Sequence, residues 1–163
     1  MNNWNDKNKP VRYWSRDEIE ETVKSLGIDR SRFYEYSKTD YQKVINQFYF
    51  AFVEHKGIKK TDLNYVWLNF RKNLKQTAII TAGSGASWSD MIHGVKDNMN
   101  YNWSKKLFLI LDDGWVYEGY IDEMISVMNE TEGMTGDFYF VTPQYDRFAV
   151  YCEDGDCMAY YEK

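Results

Sequence analysis

Carboxylates gathered at turns are the residues of this sequence best placed to act on another molecule. Asp112 and Asp113 precede a glycine, Asp146 follows a Pro-Gln-Tyr step, and Glu153, Asp154 and Asp156 surround Gly155. Two or more carboxylates converging in a cleft could hold a metal or run glycosidase-type acid–base chemistry. No motif fixes such a spacing here, and the turn 153–156 is too short for an EF-hand calcium loop, which runs about twelve residues. Recognition is the other reading. Aromatic anchors in a charged surround mark tight binding surfaces, and complementary charge speeds association. The candidate partner-binding set is therefore Asp112, Asp113, Trp115, Tyr117, Tyr145, Asp146, Glu153, Asp154, Asp156 and Tyr160.

Other chemistries find less support. Gly83-Ser84-Gly85-Ala86-Ser87 is the one Gly/Ser-rich segment. It lacks the Lys of a phosphate-binding loop, the Rossmann spacing and the Gly-x-Ser-x-Gly elbow. Ser87 with Asp90 reads instead as a cap for a helix carrying Trp88, Met91, Ile92 and Val95. His55 and His93 are isolated, and there is no second cysteine pair, so neither a metal site nor a cofactor is expected. Cys152 and Cys157 flank a four-residue turn that would set them opposite each other on a hairpin. A reducing compartment would keep them as thiols.

Charge divides the chain. Residues 1–106 hold 18 Lys/Arg against 12 Asp/Glu, a net of +6, whereas 107–163 carry 13 acidic residues against Arg147 and Lys163, a net of −11. Such polarity steers partners of opposite sign, so the C-terminal part calls for a basic partner. Lys56, Lys59, Lys60, Arg71, Lys72 and Lys75, with Tyr65, Trp67 and Phe70 nearby, form a basic counterpart. Nucleic acid is disfavoured as its ligand by an overall pI near 5.1.

The elements that must position these residues follow from periodicity. Ser15 and Glu18 suggest a capping box for a helix that buries Ile19, Val23 and Leu26 and stops at Gly27. Residues 29–34 suggest a short helical turn. Over 40–56, Tyr41, Val44, Ile45, Phe48, Phe52 and Val53 recur near every 3.6 residues, predicting a central helix capped by Asp40 and ended by Gly57. Its aromatic stripe reads as core rather than as a ligand pocket. Residues 64–72 are ambiguous between helix and strand. Residues 76–82 read as a strand, and 106–118 as a hairpin turning at Asp113-Gly114. A helix is expected over 120–129, and period-two alternation predicts strands over 137–142, 147–152 and 157–162.

These elements predict a flexible Asn/Lys-rich tail over 1–10 and a single α+β domain over 11–163. In it, N-terminal helices pack on a mainly antiparallel sheet formed largely by the C-terminal half. The first ten residues lack the apolar core of a signal peptide, and no apolar run approaches the roughly 20 residues of a membrane span. A cytoplasmic protein is expected.

The C-terminal third resembles a family of small uncharacterised bacterial proteins. The likeness lies in Leu107-Phe108-Leu109-Ile110-Leu111, Trp115-Val116-Tyr117-Glu118-Gly119, Asp137-Phe138-Tyr139-Phe140-Val141 and the stretch 145–151. It implies no activity, cofactor or catalytic residue. In size, acidity and cytoplasmic character the chain also resembles immunity proteins that neutralise bacterial toxins, an analogy of style rather than of motif. The expectation is a non-enzymatic binding module, an immunity-type inhibitor of a basic toxin such as a nuclease. A small enzyme with a carboxylate site is the alternative.

Overall fold

A computed structural model describes residues 15–37, 39–54, 63 and 69–163. In chain order its elements are α1 (Ser15–Leu26), β1 (Phe33–Glu35), α2 (Tyr41–Phe52), β2 (Lys75–Thr81), α3 (Trp88–His93), α4 (Val95–Asn98), β3 (Leu107–Leu111), β4 (Val116–Gly119), α5 (Ile121–Asn129), β5 (Phe138–Val141), β6 (Arg147–Cys152) and β7 (Cys157–Glu162). The strands form one antiparallel sheet in the order β1-β4-β3-β5-β6-β7-β2. The expected meander of β5, β6 and β7 is present, the β3–β4 hairpin lies in the same sheet, and the class is α+β. Five of the seven strands come from residue 107 onward.

Alternation along the strands sends two apolar sets in opposite directions. Phe138, Phe140, Tyr151 and Met158 face a core closed by α1, α3 and α5, while Tyr139, Val141, Phe148 and Val150 face α2. With both faces covered, β3 needs no polar side, and all five residues of its Leu-Phe-Leu-Ile-Leu run are buried. Phe48 anchors α2 on the sheet, its ring 4.7 Å from Tyr139 and 5.5 Å from Phe148. Phe52 adds a contact with Phe148 at 4.5 Å.

Four local expectations are corrected. Residues 29–34 form a helical turn only as far as Arg32, the Arg32 and Phe33 N–H groups donating to the Asp29 carbonyl, because Phe33, Tyr34 and Glu35 pair with β4 as an edge strand. The two backbones approach so closely that a Cβ on Gly119 would lie 2.3 Å from the Arg32 carbonyl oxygen. Helix α2 stops at Phe52, before Gly57: the Glu54 N–H donates to the Asn69 carbonyl and the Arg71 N–H to Phe52, pulling Val53 into an antiparallel bridge with Phe70. Leu26 is 45% exposed rather than core. Ser15 is the first residue of α1, not its cap, and its backbone N–H donates to Asp113. By contrast, Ser87 and Asp90 form the reciprocal cap read from the sequence. Residues 55–62, with Gly57, and most of the ambiguous stretch, 64–68, lie outside the described residues, as does the 1–10 tail. Among the described residues no helix is long and apolar enough to cross a membrane.

Phe48 is fully buried between three rings, so Phe48→Ala should remove about 3–5 kcal/mol of stability by the cost of an aromatic cavity. Urea unfolding followed by circular dichroism would measure it. A loss below about 0.5 kcal/mol, the level of a surface change, would mean that α2 does not pack as described.

Candidate partner-binding surface

Antiparallel pairing decides which turns meet. Leu111 opposes Phe138, Phe138 opposes Tyr151, and Cys152 opposes Cys157. The β3–β4 turn, the entry to β5 and the β6–β7 turn therefore lie at one end of the sheet. That end carries Asp112, Asp113, Asp137, Glu153, Asp154 and Asp156, together with Trp115. Glu153, Asp154 and Asp156 are exposed, while Asp112, Asp113 and Trp115 are half-buried.

Backbone donors hold several of these acids in place. Asp113 Oδ2 accepts the Ser15 N–H at 3.1 Å, which sets a carboxylate at the positive end of α1. Asp137 Oδ1 accepts the Glu153 N–H at 2.8 Å and so ties the β6–β7 turn to the start of β5. Within that turn Asp156 takes a left-handed conformation with φ 43°, and its Oδ1 accepts the Tyr151 hydroxyl at 2.9 Å. The Asp156 carbonyl accepts the Ala82 N–H at 3.0 Å, fastening the same turn to the chain after β2. Beside them the Arg16 guanidinium lies 5.4 Å from the Trp115 ring centroid and pairs with Glu35 at 2.9 Å.

Asp112 bears the strain of the gathering. Its carboxylate presses on Gly136, where a Cβ would come within 2.3 Å of Oδ2. Burial, then the charges of Asp113, Asp137 and Glu153, push its carboxyl up to about 6, although a backbone bond with Asp137 pulls the other way. Tyr139, fully buried in the adjoining core, feels Asp137 and Asp112, and its hydroxyl has no hydrogen-bond partner among the described residues.

The remaining candidates are dispersed. Asp146 and Tyr145 follow β5 and so lie at the opposite end of the sheet, which separates them from the rest of the candidate set. There Asp146 accepts the Thr142 hydroxyl at 2.6 Å and pairs with Arg147 at 3.2 Å, while Tyr145 stacks on Phe108. Tyr117 and Tyr160 are core residues, 0% and 1% exposed. Tyr117 stacks on Phe33 at 5.0 Å and donates its hydroxyl to Glu20. Both sit inside strands on the face that the helices cover, so neither can offer a ring to a partner. Asp137, which sequence reasoning passed over, joins the cluster; its place directly before a strand antiparallel to β3 was the available signal.

The nucleophiles are poorly set for catalysis. Cys152 and Cys157 are thiols on directly opposed residues, and burial pushes the Cys152 thiol upward, away from the reactive thiolate. His93 Nδ1 lies 3.2 Å from Ser89 Oγ but 2.9 Å from the Ser89 carbonyl. A proton on Nδ1 directed to that carbonyl leaves the nitrogen no lone pair to take one from the hydroxyl. Nearby Asp90 is engaged at the Ser87 cap. Among the described residues no group of three or more His, Cys, Asp or Glu is arranged to hold a metal ion. On the basic side Lys56, Lys59, Lys60, Tyr65, Trp67 and His55 lie outside the described residues, Lys75 pairs with Glu162, and Arg71 bonds the Phe50 carbonyl.

The chain is thus an α+β protein whose sheet concentrates carboxylates at one end. It belongs to a family of unknown function, DUF6756, whose model matches residues 12–163. The match reaches well past the C-terminal third on which the resemblance rested. No curated protein matches the chain.

The raised Asp112 carboxyl sets a pH dependence. It binds its proton more tightly in the fold than in the unfolded chain, so its contribution falls as pH rises from about 4 to about 6 and is constant above that range. Asp112→Asn should therefore be more stable than the parent near pH 7, with the gap closing near pH 4. Thermal melts across that range test this. A variant less stable than the parent near pH 7 would show that the charged carboxylate is favoured in the fold.

Proposed function

We propose that this protein is a non-enzymatic binding module that docks a basic protein on the acidic end of its sheet. The partner is a basic toxin domain such as a nuclease, held in the cytoplasm as an immunity protein holds its toxin. The observation that carries this reading is the convergence of two hairpin turns and a strand entry, six carboxylates in all, beside the half-buried ring of Trp115. Exposed Glu153, Asp154 and Asp156 supply the long-range field, and the aromatic supplies contact area. A cationic nuclease surface, built to meet phosphates, has the complementary charge.

An enzyme remains the second reading on one ground. A carboxyl at about 6 beside other acids is the state expected of a general acid or base. Nothing paired with Asp112 supplies a nucleophile, and its neighbours at this end are further carboxylates.

Affinity capture from native cell extract tests the leading reading. The parent should retain a basic protein, and the doubly reversed E153K/D154K variant should lose it. The association rate should drop roughly tenfold at low salt with dissociation changed little, and the difference should shrink as salt screens exposed charges. A K72E/K75E variant should bind as the parent does. Partners that survive the acidic reversal, or vanish with the lysine reversal, would place binding on another face.

A further inference from the structure

At the same acidic end, α3, the end of α5 and the β6–β7 turn enclose a cleft of about 420 Å³. We infer that this cleft is a socket for an arginine side chain of the basic partner. The inference rests on the acidic end being the docking surface and specifies what that surface grips.

Its lining has two parts. Ala82, Ala86, Trp88 and Met91 give an apolar wall, suited to the methylene stem of a long cation. Asp156, Glu132 and Asn129 give acceptors for its head. Tyr151 holds Asp156 through Oδ1 and so fixes the direction of that carboxylate. Asn129 Oδ1 is buried and has no hydrogen-bond partner among the described residues. The backbone adds to the same sign. The cleft lies at the C-terminal end of α5, the negative end of its dipole, where the Met128 and Asn129 carbonyls already accept the Trp88 indole. At the start of α3 the Ser87–Asp90 cap takes two of the free N–H groups, those of Ser87 and Asp90, and places a third carboxylate close by.

Guanidinium is favoured over ammonium by the spread of the acceptors. Two carboxylates and an amide, from the end of α5 and the β6–β7 turn, suit a planar head with five donors better than a compact point charge. Trp88 is itself fixed, its indole N–H donating to the Met128 and Asn129 carbonyls at 3.2 Å, so the wall is formed before a ligand arrives.

The probe is N-acetyl-arginine methylamide, titrated into the full chain and followed by the NMR signals of the Trp88 indole and the Asn129 side-chain amide. Both should shift saturably. The lysine analogue should bind several-fold more weakly, and the neutral citrulline analogue should leave both signals in place. Glu132→Gln and Asp156→Asn should each weaken arginine binding roughly five- to tenfold, the worth of one charge-assisted hydrogen bond. Asparagine tolerates the left-handed backbone at 156, and unchanged amide spectra would certify that both variants fold. Equal binding of lysine and arginine, or no shift at Trp88 and Asn129, overturns the socket. If arginine fails here while E153K/D154K still abolishes partner capture, the docking surface stands and the socket alone falls.

Discussion

The central strands have no solvent face. Every residue of β3 and β5 is buried, with α1, α3 and α5 on one side of the sheet and α2 on the other. A charged side chain cannot be accommodated along such strands without a large desolvation cost. Asp112, Asp113 and Asp137 therefore emerge where β3 ends and β5 begins, whereas Glu118 lies within β4 and Asp122 and Glu123 on α5. Antiparallel pairing then sorts them, because the turn after β3, the entry to β5 and the turn after β6 share one end. The polar chemistry of the molecule is a consequence of how completely its sheet is covered.

Gathering like charges is unfavourable, and the fold offsets only part of it. Asp113 and Asp137 satisfy backbone donors of Ser15 and Glu153, and Tyr151 donates to Asp156. Those bonds also make the end rigid, since they tie α1, β5 and both hairpin turns together. Asp112 is compensated only by one backbone bond with Asp137, and burial and its acidic neighbours push it up to about 6. A natural chain could relieve this with one amide. Keeping the carboxylates is consistent with a surface selected for its field rather than for stability alone.

Much of this was readable from residue types. The alternation in Phe138-Tyr139-Phe140-Val141 and in Phe148-Ala149-Val150-Tyr151 set the strands, and the 3.6-residue spacing of Val44, Ile45, Phe48 and Phe52 set α2. Strand β1 was not readable, because three residues carry no period and its pairing depends on the bare backbone of distant Gly119. Nor was the end of α2, which is fixed by the carbonyl of Asn69 and the amide of Arg71 rather than by Gly57. The misplacement of Asp146 was avoidable. Asp146 and Glu153 bracket a single strand, β6, so they must lie at opposite ends of the sheet. Tyr117 and Tyr160 were misjudged because a tyrosine inside a strand looks the same on a covered face as on an open one. The acceptors Asn129 and Glu132 gave no signal, since only the packing of α5 against α3 brings them to the β6–β7 turn.

Hydrogen exchange of the protein alone and in complex with the basic protein proposed to dock on it tests the central claim most directly. Slowed exchange at residues 112–115 and 153–156, with 142–147 at the far end of the sheet unchanged, is the predicted footprint. Protection confined to 142–147 or to α2, with both acidic turns exchanging as freely as before, would contradict it.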